Sequence, residues 1–258
     1  MIIGCMIWYE ESSIWLSAAV ASAARFCDHI VAVDGAYVLF PAARARSGPE
    51  QHEAILATCH ALGIGSTIHT PREVWYGNEV EKRTAAFRLA EQVAEPWTDW
   101  YYVLDADEFV SDVPSDIRAR LDETELDVAE CTVWEGHNAD HPGERYVEGA
   151  SLSRNAIRKF FRAIPGLRVE GAHYLYLAER EERTMYLWGH PDLTPAAEPA
   201  LNLTDLRVEH RNRFRNRYRN RLANDYYATR DAIGAERIAD VYVHGLDGEP
   251  VLFEPGHA

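Results

Sequence analysis

The chain has 258 residues, of which 47% are apolar, and this length suffices for one large domain with a full hydrophobic core. Its formal net charge of −15 disfavours nucleic acids as partners, because an acidic surface repels phosphate backbones. The sequence has no run of about 20 apolar residues that would form a membrane span and no signal-peptide pattern, so we expect a cytoplasmic protein without a transmembrane segment.

The four cysteines are expected to be reduced residues of the core. They are Cys5, Cys27, Cys59 and Cys131, and each stands in an otherwise apolar stretch. No two of them are close in sequence, so their spacing supports neither a zinc site nor a disulfide framework.

The first hundred residues alternate between strand-like and helix-like segments. Short apolar runs predict buried strands over 2–8, 29–34, 66–69 and 100–104. Longer patterns predict helices from Ser12 or Ser13 to about 27, over 49–62 with Gly63 as its end, and over 79–93. This alternation predicts an α/β fold with a mostly parallel sheet flanked by helices.

The second half of the chain has a different pattern. Strands are predicted over 127–134, 156–162, 167–170 and 173–177, loops over 142–153 and 189–199, and a helix over 211–232. We therefore expect residues 1–180 to form the main domain, and residues 181–258 to form a strand and helix extension that packs on it.

Acidic residues follow several of the predicted strands. Glu10, Asp34 and the run from Asp105 to Glu108 would meet at one edge, because sites in parallel sheets lie beyond the carboxyl ends of the strands. Asp105 and Asp107, two residues apart where the chain leaves a strand, can share Mg²⁺ or Mn²⁺, which prefer oxygen ligands. The alternative is that these carboxylates are solvated loop residues, as most such pairs in an acidic protein are.

The run EKRTAAFRLAEQVAEPWTDWYYVLDADEF, residues 81–109, resembles family 2 glycosyltransferases, in the branch whose metal strand ends in LDADE. IGCMIWYEES and HIVAVDGA resemble the first two strands of that family. AIRKFFRAIPGLRVEGAHYLY and the HRN at 210–212 resemble its later motifs, although Thr84 stands where the family usually has Asn, and Tyr174 where it has Glu. The resemblance covers about residues 1–230. It implies a GT-A fold, a Mn²⁺ or Mg²⁺ cofactor and a nucleotide-sugar donor.

Residue roles follow from the resemblance. It implies that Asp107 is a direct metal ligand, that Asp105 contacts the ribose or the metal through water, and that Asp34 contacts a uracil or guanine base. Further candidates for binding the UDP- or GDP-sugar or its metal are Trp8, Glu10, Lys82, Arg83, His173, His210 and Arg211. Of these, His210 and His173 are candidates for a third metal ligand or a diphosphate contact. Arg211 opens an arginine-rich segment that could attract an anionic substrate or pair with the acidic remainder of the protein.

The catalytic base is left open by the sequence. An inverting enzyme needs a carboxylate or an imidazole near the acceptor hydroxyl, whereas a retaining mechanism needs none. The candidates are Glu135, Asp140, Glu170 and His173. The acceptor can be a glycan, a protein or a small molecule. Two other functions remain possible at this point: a sugar nucleotidyltransferase, which the absence of a glycine-rich loop after the first strand argues against, and a non-catalytic carbohydrate-binding or scaffold protein.

Overall fold

The computed structural model describes residues 1–36, 44–75, 78–136, 152–170, 175–188 and 197–210. Over these residues the chain forms four helices and eleven strands arranged in two sheets. In chain order they are β1 (Ile2–Ile7), α1 (Ser13–Ala23), β2 (His29–Val33), α2 (Pro49–Leu62), β3 (Gly65–His69), α3 (Asn78–Ala90), β4 (Trp100–Asp105), β5 (Glu108–Asp112), α4 (Ile117–Glu123), β6 (Val128–Gly136), β7 (Leu152–Arg162), β8 (Arg168–Glu170), β9 (Leu175–Arg180), β10 (Arg183–Trp188) and β11 (Leu201–His210).

The large sheet has eight strands in the order β3-β2-β1-β4-β7-β6-β11-β5. The four strands β3, β2, β1 and β4 run parallel to one another, and β6 is parallel to β11. The pairs β4 with β7, β7 with β6, and β11 with β5 are antiparallel. The protein is therefore a mixed α/β fold with a mostly parallel sheet, as the strand and helix alternation predicts.

Both faces of the sheet are covered at β1, as expected for a strand without polar side chains. All six residues of β1 are buried, and side chains alternate between the two faces along it. Ile2 and Met6 pack with helices α1, α2 and α4, whereas Ile3 and Ile7 pack with helix α3. Gly4 leaves room for the Ile30 side chain of β2, since a Cβ at this position would lie 2.7 Å from Ile30 Cδ1.

A smaller antiparallel sheet, β10-β9-β8, lies over the same face as α3. Tyr176 on β9 stacks on Phe161 of β7, with ring centroids 4.7 Å apart and an interplanar angle of 8°. Phe87 of α3 meets both of these rings edge to face. This aromatic contact fixes the small sheet and α3 together against the large one.

The predicted elements of the first hundred residues match the structure to within a few residues. Helix α2 has the predicted bounds, with Pro49 in its first turn and Gly63 in the left-handed conformation at its end, φ 70°. Helix α3 ends at Ala90, three residues earlier than predicted. Ser12 occupies the N-cap position of α1 in an extended conformation.

The chain after β4 departs more from the prediction. Positions 152 and 153, predicted as loop, belong to β7, and the predictions did not include β5, α4, β10 and β11. Strand β11 lies inside the large sheet, between β6 and β5, so this part of the predicted extension is integral to the sheet. The helix predicted over 211–232, most of the loop predicted over 142–153, and 189–196 of the loop predicted over 189–199 lie outside the described residues.

Candidate functional site

The chain changes direction within the sheet at β1. From β1 it proceeds outward to β2 and β3, and α3 then returns it to β4 on the other side of β1. Crevices for ligands form at such a switch point, outside the carboxyl ends of the strands. Ile7, the last residue of β1, lies opposite Asp105, the last residue of β4. The structure therefore places the acidic run that follows β4 at the position where an α/β sheet binds ligands.

Asp105 is held by two cations. Arg83 Nη2 donates to Asp105 Oδ1 at 2.7 Å, and Lys159 Nζ donates to Oδ2 at 3.2 Å. Burial alone would raise the pKa of Asp105, but Arg83 and Lys159 together hold it well below its usual range. The Asp105 side chain keeps 28% of its surface exposed, so it is oriented by protein groups and still accessible to a ligand.

Lys159 is part of the site, although sequence reasoning gave it no role. It is the extra residue of a bulge on β7: Ala129 of β6 pairs with Phe160 and Glu130 with Arg158, which leaves Lys159 between them. Bulges redirect side chains, and here the ammonium of Lys159 reaches both Asp105 and, at 2.6 Å, Glu108 Oε2. The signal available in the sequence was that Lys159 is one of only two lysines and stands in an apolar strand.

Glu108 closes the turn after β4. Its Oε2 accepts from the Asp105 backbone N–H at 3.2 Å and from Lys159. Burial raises the pKa of Glu108, and the neighbouring Lys159 offsets only part of that rise. Glu108 therefore holds the acidic turn in place as a buried residue and does not face solvent.

Asp107 and His210 are brought together across the sheet from positions 103 residues apart. His210 Nε2 lies 3.0 Å from Asp107 Oδ2, and the Asp107 side chain is only 4% exposed. Burial opposes the charged imidazolium, yet the hydrogen bond to Asp107 and its charge outweigh it and raise the pKa of His210 to about 9. The proton thus bridges the two groups around neutral pH.

This pair offers two ligands for a divalent cation. Asp107 Oδ2 and His210 Nε2 lie 3.0 Å apart because they share a hydrogen bond, and this separation also allows both to bind one octahedral Mg²⁺ or Mn²⁺, whose adjacent ligands lie about 3.0 Å apart. Metal binding requires neutral imidazole, so a cation would replace the bridging proton. Within the described residues no group of three or more His, Cys, Asp and Glu side chains is gathered around one point, so water or a substrate would complete the coordination.

Asp34 lies at the end of β2 and is fully enclosed. Its two carboxylate oxygens accept from the backbone N–H and the hydroxyl of Ser47, at 2.8 and 2.6 Å. His52 Nε2 lies 3.1 Å from Oδ2, and Trp75 Nε1 donates to the Asp34 carbonyl. Direct contact between Asp34 and a nucleobase, as the resemblance implies, would require Ser47 to move.

Lys82 connects the ends of β1 and β2. It is 1% exposed, and its ammonium donates to the carbonyls of Trp8 and Gly35. The sequence analysis names Lys82 and Arg83 together as candidates for binding the nucleotide-sugar. In the structure Lys82 ties the two strand ends together, and Arg83 holds Asp105.

Trp8 and Glu10 follow β1. The Trp8 ring is buried edge-on against His52, 5.3 Å between centroids, and across the described part of the chain its Nε1–H meets no acceptor. Glu10 adopts a left-handed conformation, φ 50°, and pairs with Arg44. The turn after β1 lies at the same sheet edge as Asp105, because the end of β1 pairs with the end of β4.

The candidate bases are placed unequally. The backbone of Glu135 on β6 lies opposite His210 on β11, and His210 in turn lies opposite Glu108 on β5, so three neighbouring strands bring these positions into one row. Glu170 ends β8 in the small sheet, where it is exposed and pairs with Arg168. Asp140, His173 and Arg211 lie outside the described residues.

The fold and the site together define an α/β protein with a row of paired acidic and basic side chains at the carboxyl edge of a parallel sheet. No protein-family model matches the chain, and no curated protein sequence does. Among solved structures, it is similar to the crystal structure of mannose-6-phosphate isomerase from Helicobacter pylori, with a TM-score of 0.35 and 11% identity over 81% of this chain and 97% of that chain. This likeness is too distant to assign a family or an activity. Along the described ranges, no helix is long and apolar enough to cross a membrane.

Proposed function

We propose that the protein is a metal-dependent glycosyltransferase of the GT-A type, which transfers a sugar from a UDP- or GDP-sugar to a glycan, protein or small-molecule acceptor. The observation that carries the proposal is the position of Asp105 and Asp107. Asp105 ends β4 and Asp107 follows it at the switch point of the sheet, and each is oriented by a basic partner from another segment. A solvated pair of loop carboxylates would have no such fixed partners.

Different residues of the site would hold different parts of a nucleoside diphosphate. Asp107 and His210 would hold the divalent cation, which neutralises the charge of a leaving diphosphate. Imidazole as a ligand favours Mn²⁺ over Mg²⁺. Asp105, fixed by Arg83 and Lys159 and still partly exposed, accepts hydrogen bonds from the ribose hydroxyls.

The residues deeper in the protein keep these groups in place. Lys82 ties the end of β1 to the end of β2, and Asp34 ties the end of β2 to Ser47, so that this edge of the sheet is ordered before a substrate binds. Preorganised groups of this kind stabilise developing charge without reorganising during the reaction. Among the candidate bases, the proposal favours Glu135, because its backbone lies in the same row as His210, whereas Glu170 pairs with Arg168 on the other sheet.

Thermal shift against UDP, GDP and CDP and their sugars, with and without Mn²⁺, tests the proposal. We expect one diphosphate to stabilise the protein only when the metal is present, and Asp107→Asn to abolish the effect. Asp112→Asn, an exposed carboxylate at the far end of β5, is the matched control and should behave as wild type. Binding of nucleoside triphosphates with release of pyrophosphate would indicate a nucleotidyltransferase instead. No response to any nucleotide would refute both enzymes and leave a binding or scaffold protein.

A further inference from the structure

A cleft opens beside the candidate site, at the same edge of the sheet. It has a volume of about 510 Å³, within the usual range for small-molecule sites. Its lining residues are Arg44, Ala45, Arg46, Ser47, Pro49 and Arg72. Arg72 follows β3 and the others precede or begin α2, so this arginine cleft lies beyond the ends of β2 and β3.

The arginine cleft is basic in a protein of net charge −15. Arg44 pairs with Glu10 at 2.8 Å. Arg46 and Arg72 are exposed, and over the residues that the structure describes neither forms an ion pair. Glu50 at the start of α2 also acts electrostatically on Arg44. Arg46 and Arg72 are therefore the two guanidinium groups of the cleft without an ion-pair partner among the described residues, and together they match the charge of a phosphate monoester near neutral pH. Guanidinium groups bind phosphate oxygens in a bidentate manner.

The start of α2 does not itself supply the anion site. A Cβ on Gly48 would lie 2.2 Å from Glu50 Oε1, so the carboxylate of Glu50 already sits against the helix N-terminus. An anion in the cleft would be bound by the arginine side chains, with Ser47 as a neighbouring wall.

Hydrogen bonds connect the arginine cleft to the carboxyl ends of β1 and β2. Ser47 donates twice to the enclosed Asp34, and the hydroxyl of Tyr9 donates to the Arg44 carbonyl at 2.8 Å. These contacts fix the segment that carries Arg44 and Arg46 against the carboxyl ends of β1 and β2. A group bound in the cleft would therefore be held at a set position beside the nucleotide-sugar site.

We propose that the arginine cleft binds a phosphate group of a substrate, either of a phosphorylated acceptor or of the nucleotide donor. This inference rests on the proposed function, because it treats the cleft as a subsite of the nucleotide-sugar site. Arg46 and Arg72 bind the phosphate oxygens. Arg44 stays paired with Glu10 and adds its positive charge to the electrostatic potential of the cleft.

Isothermal titration of the full chain tests this proposal with three probes in metal-free buffer: inorganic phosphate, a hexose phosphate and a nucleoside monophosphate. We expect at least one of the two organic phosphates to bind more tightly than inorganic phosphate. Arg46→Gln combined with Arg72→Gln should weaken that binding at least about tenfold, since two charge-assisted contacts are lost. Arg168→Gln, at a partly exposed arginine of the small sheet, should leave it unchanged.

The organic probe that binds identifies the source of the phosphate, the acceptor for the hexose phosphate and the donor for the nucleotide. Equal binding by wild type and the double variant, no binding of either organic phosphate, or inorganic phosphate binding as tightly as both would overturn the proposal. Asp107→Asn separates it from the proposed function: it should leave metal-free phosphate binding intact, whereas it should abolish the metal-dependent diphosphate response. Each claim can therefore fail while the other stands.

Discussion

Replacing Lys159 by Met removes the cation from a buried pair while keeping most of the side-chain volume. Lys159 and Glu108 are 6% and 5% exposed and 2.6 Å apart, and breaking such a pair costs about 3–5 kcal/mol. Asp105 retains Arg83, so the loss falls mainly on Glu108. Glu108 can limit the cost by taking up a proton. The free energy needed to protonate Glu108 rises by about 1.36 kcal/mol for each pH unit above its unfolded pKa of about 4.3. Protonation therefore limits the cost of the substitution to about 4 kcal/mol at pH 7 and about 1 kcal/mol at pH 5.

The sign of the pH dependence follows from the raised pKa of Glu108. Between the unfolded pKa and the folded one the native state binds more protons, so stability falls as the pH rises through that window. Loss of Lys159 extends the window upward, so the difference between wild type and Lys159→Met should grow from pH 5 to pH 7.

Denaturant unfolding followed by tryptophan fluorescence at both pH values measures this difference. Adding Glu108→Gln to Lys159→Met should restore much of the stability, because no buried carboxylate is then left without its cation. Arg168→Met, which breaks an exposed pair on a strand, is the matched control and should cost less than about 1 kcal/mol. A loss that is equal at the two pH values, or no larger than that of the control, would refute the reasoning.

Three further predictions concern other parts of the fold. Burial would raise the pKa of Asp28, but the hydrogen bonds from Arg118 lower it. The Asp28–Arg118 pair therefore stabilises the fold above about pH 4, and this contribution is lost as the pH falls through the folded pKa of Asp28. Arg118→Met should flatten the acid side of the pH–stability curve and, since the pair is largely exposed, cost under about 1 kcal/mol at pH 7. Lys82→Met should lower the free energy of unfolding by about 1–3 kcal/mol, because buried carbonyls lose their donor, and hydrogen exchange at the ends of β1 and β2 should accelerate; unchanged exchange would contradict this. Burial raises the pKa of Cys59 to about 11 and of Cys131 to about 12, so a thiol reagent at pH 8 should modify the cysteines only after denaturation, and rapid labelling of the native protein would contradict their burial.

The central part of the fold was readable because its signals are local. The apolar runs of β1, β2 and β4 are buried on both faces, and α2 carries a proline at its start and a glycine at its end. Strand β5 escaped prediction because it begins at Glu108, directly after the acidic turn, and holds only two apolar residues. Strand β11 escaped because register shifts interrupt its pairing with both neighbours and break the regular alternation.

The site was predictable in position and less so in detail. Asp105 and Asp107 follow an apolar strand, and the sheet-edge rule places them at the switch point. The roles of their partners depend on contacts between distant segments: a bulge directs Lys159 to Asp105, and a strand that was not predicted carries His210 to Asp107. No sequence spacing predicts these two contacts, because they depend on the register of the strands and not on a local pattern.

The most direct test of the account is the rate at which the protein hydrolyses the nucleotide-sugar that it binds, measured as release of the nucleoside diphosphate without an added acceptor. We predict slow release that requires Mn²⁺ or Mg²⁺, is abolished by Asp107→Asn and is unchanged by Asp112→Asn. Release that is independent of the metal, or that persists in Asp107→Asn, would contradict the assignment of the acidic turn after β4 as the catalytic centre.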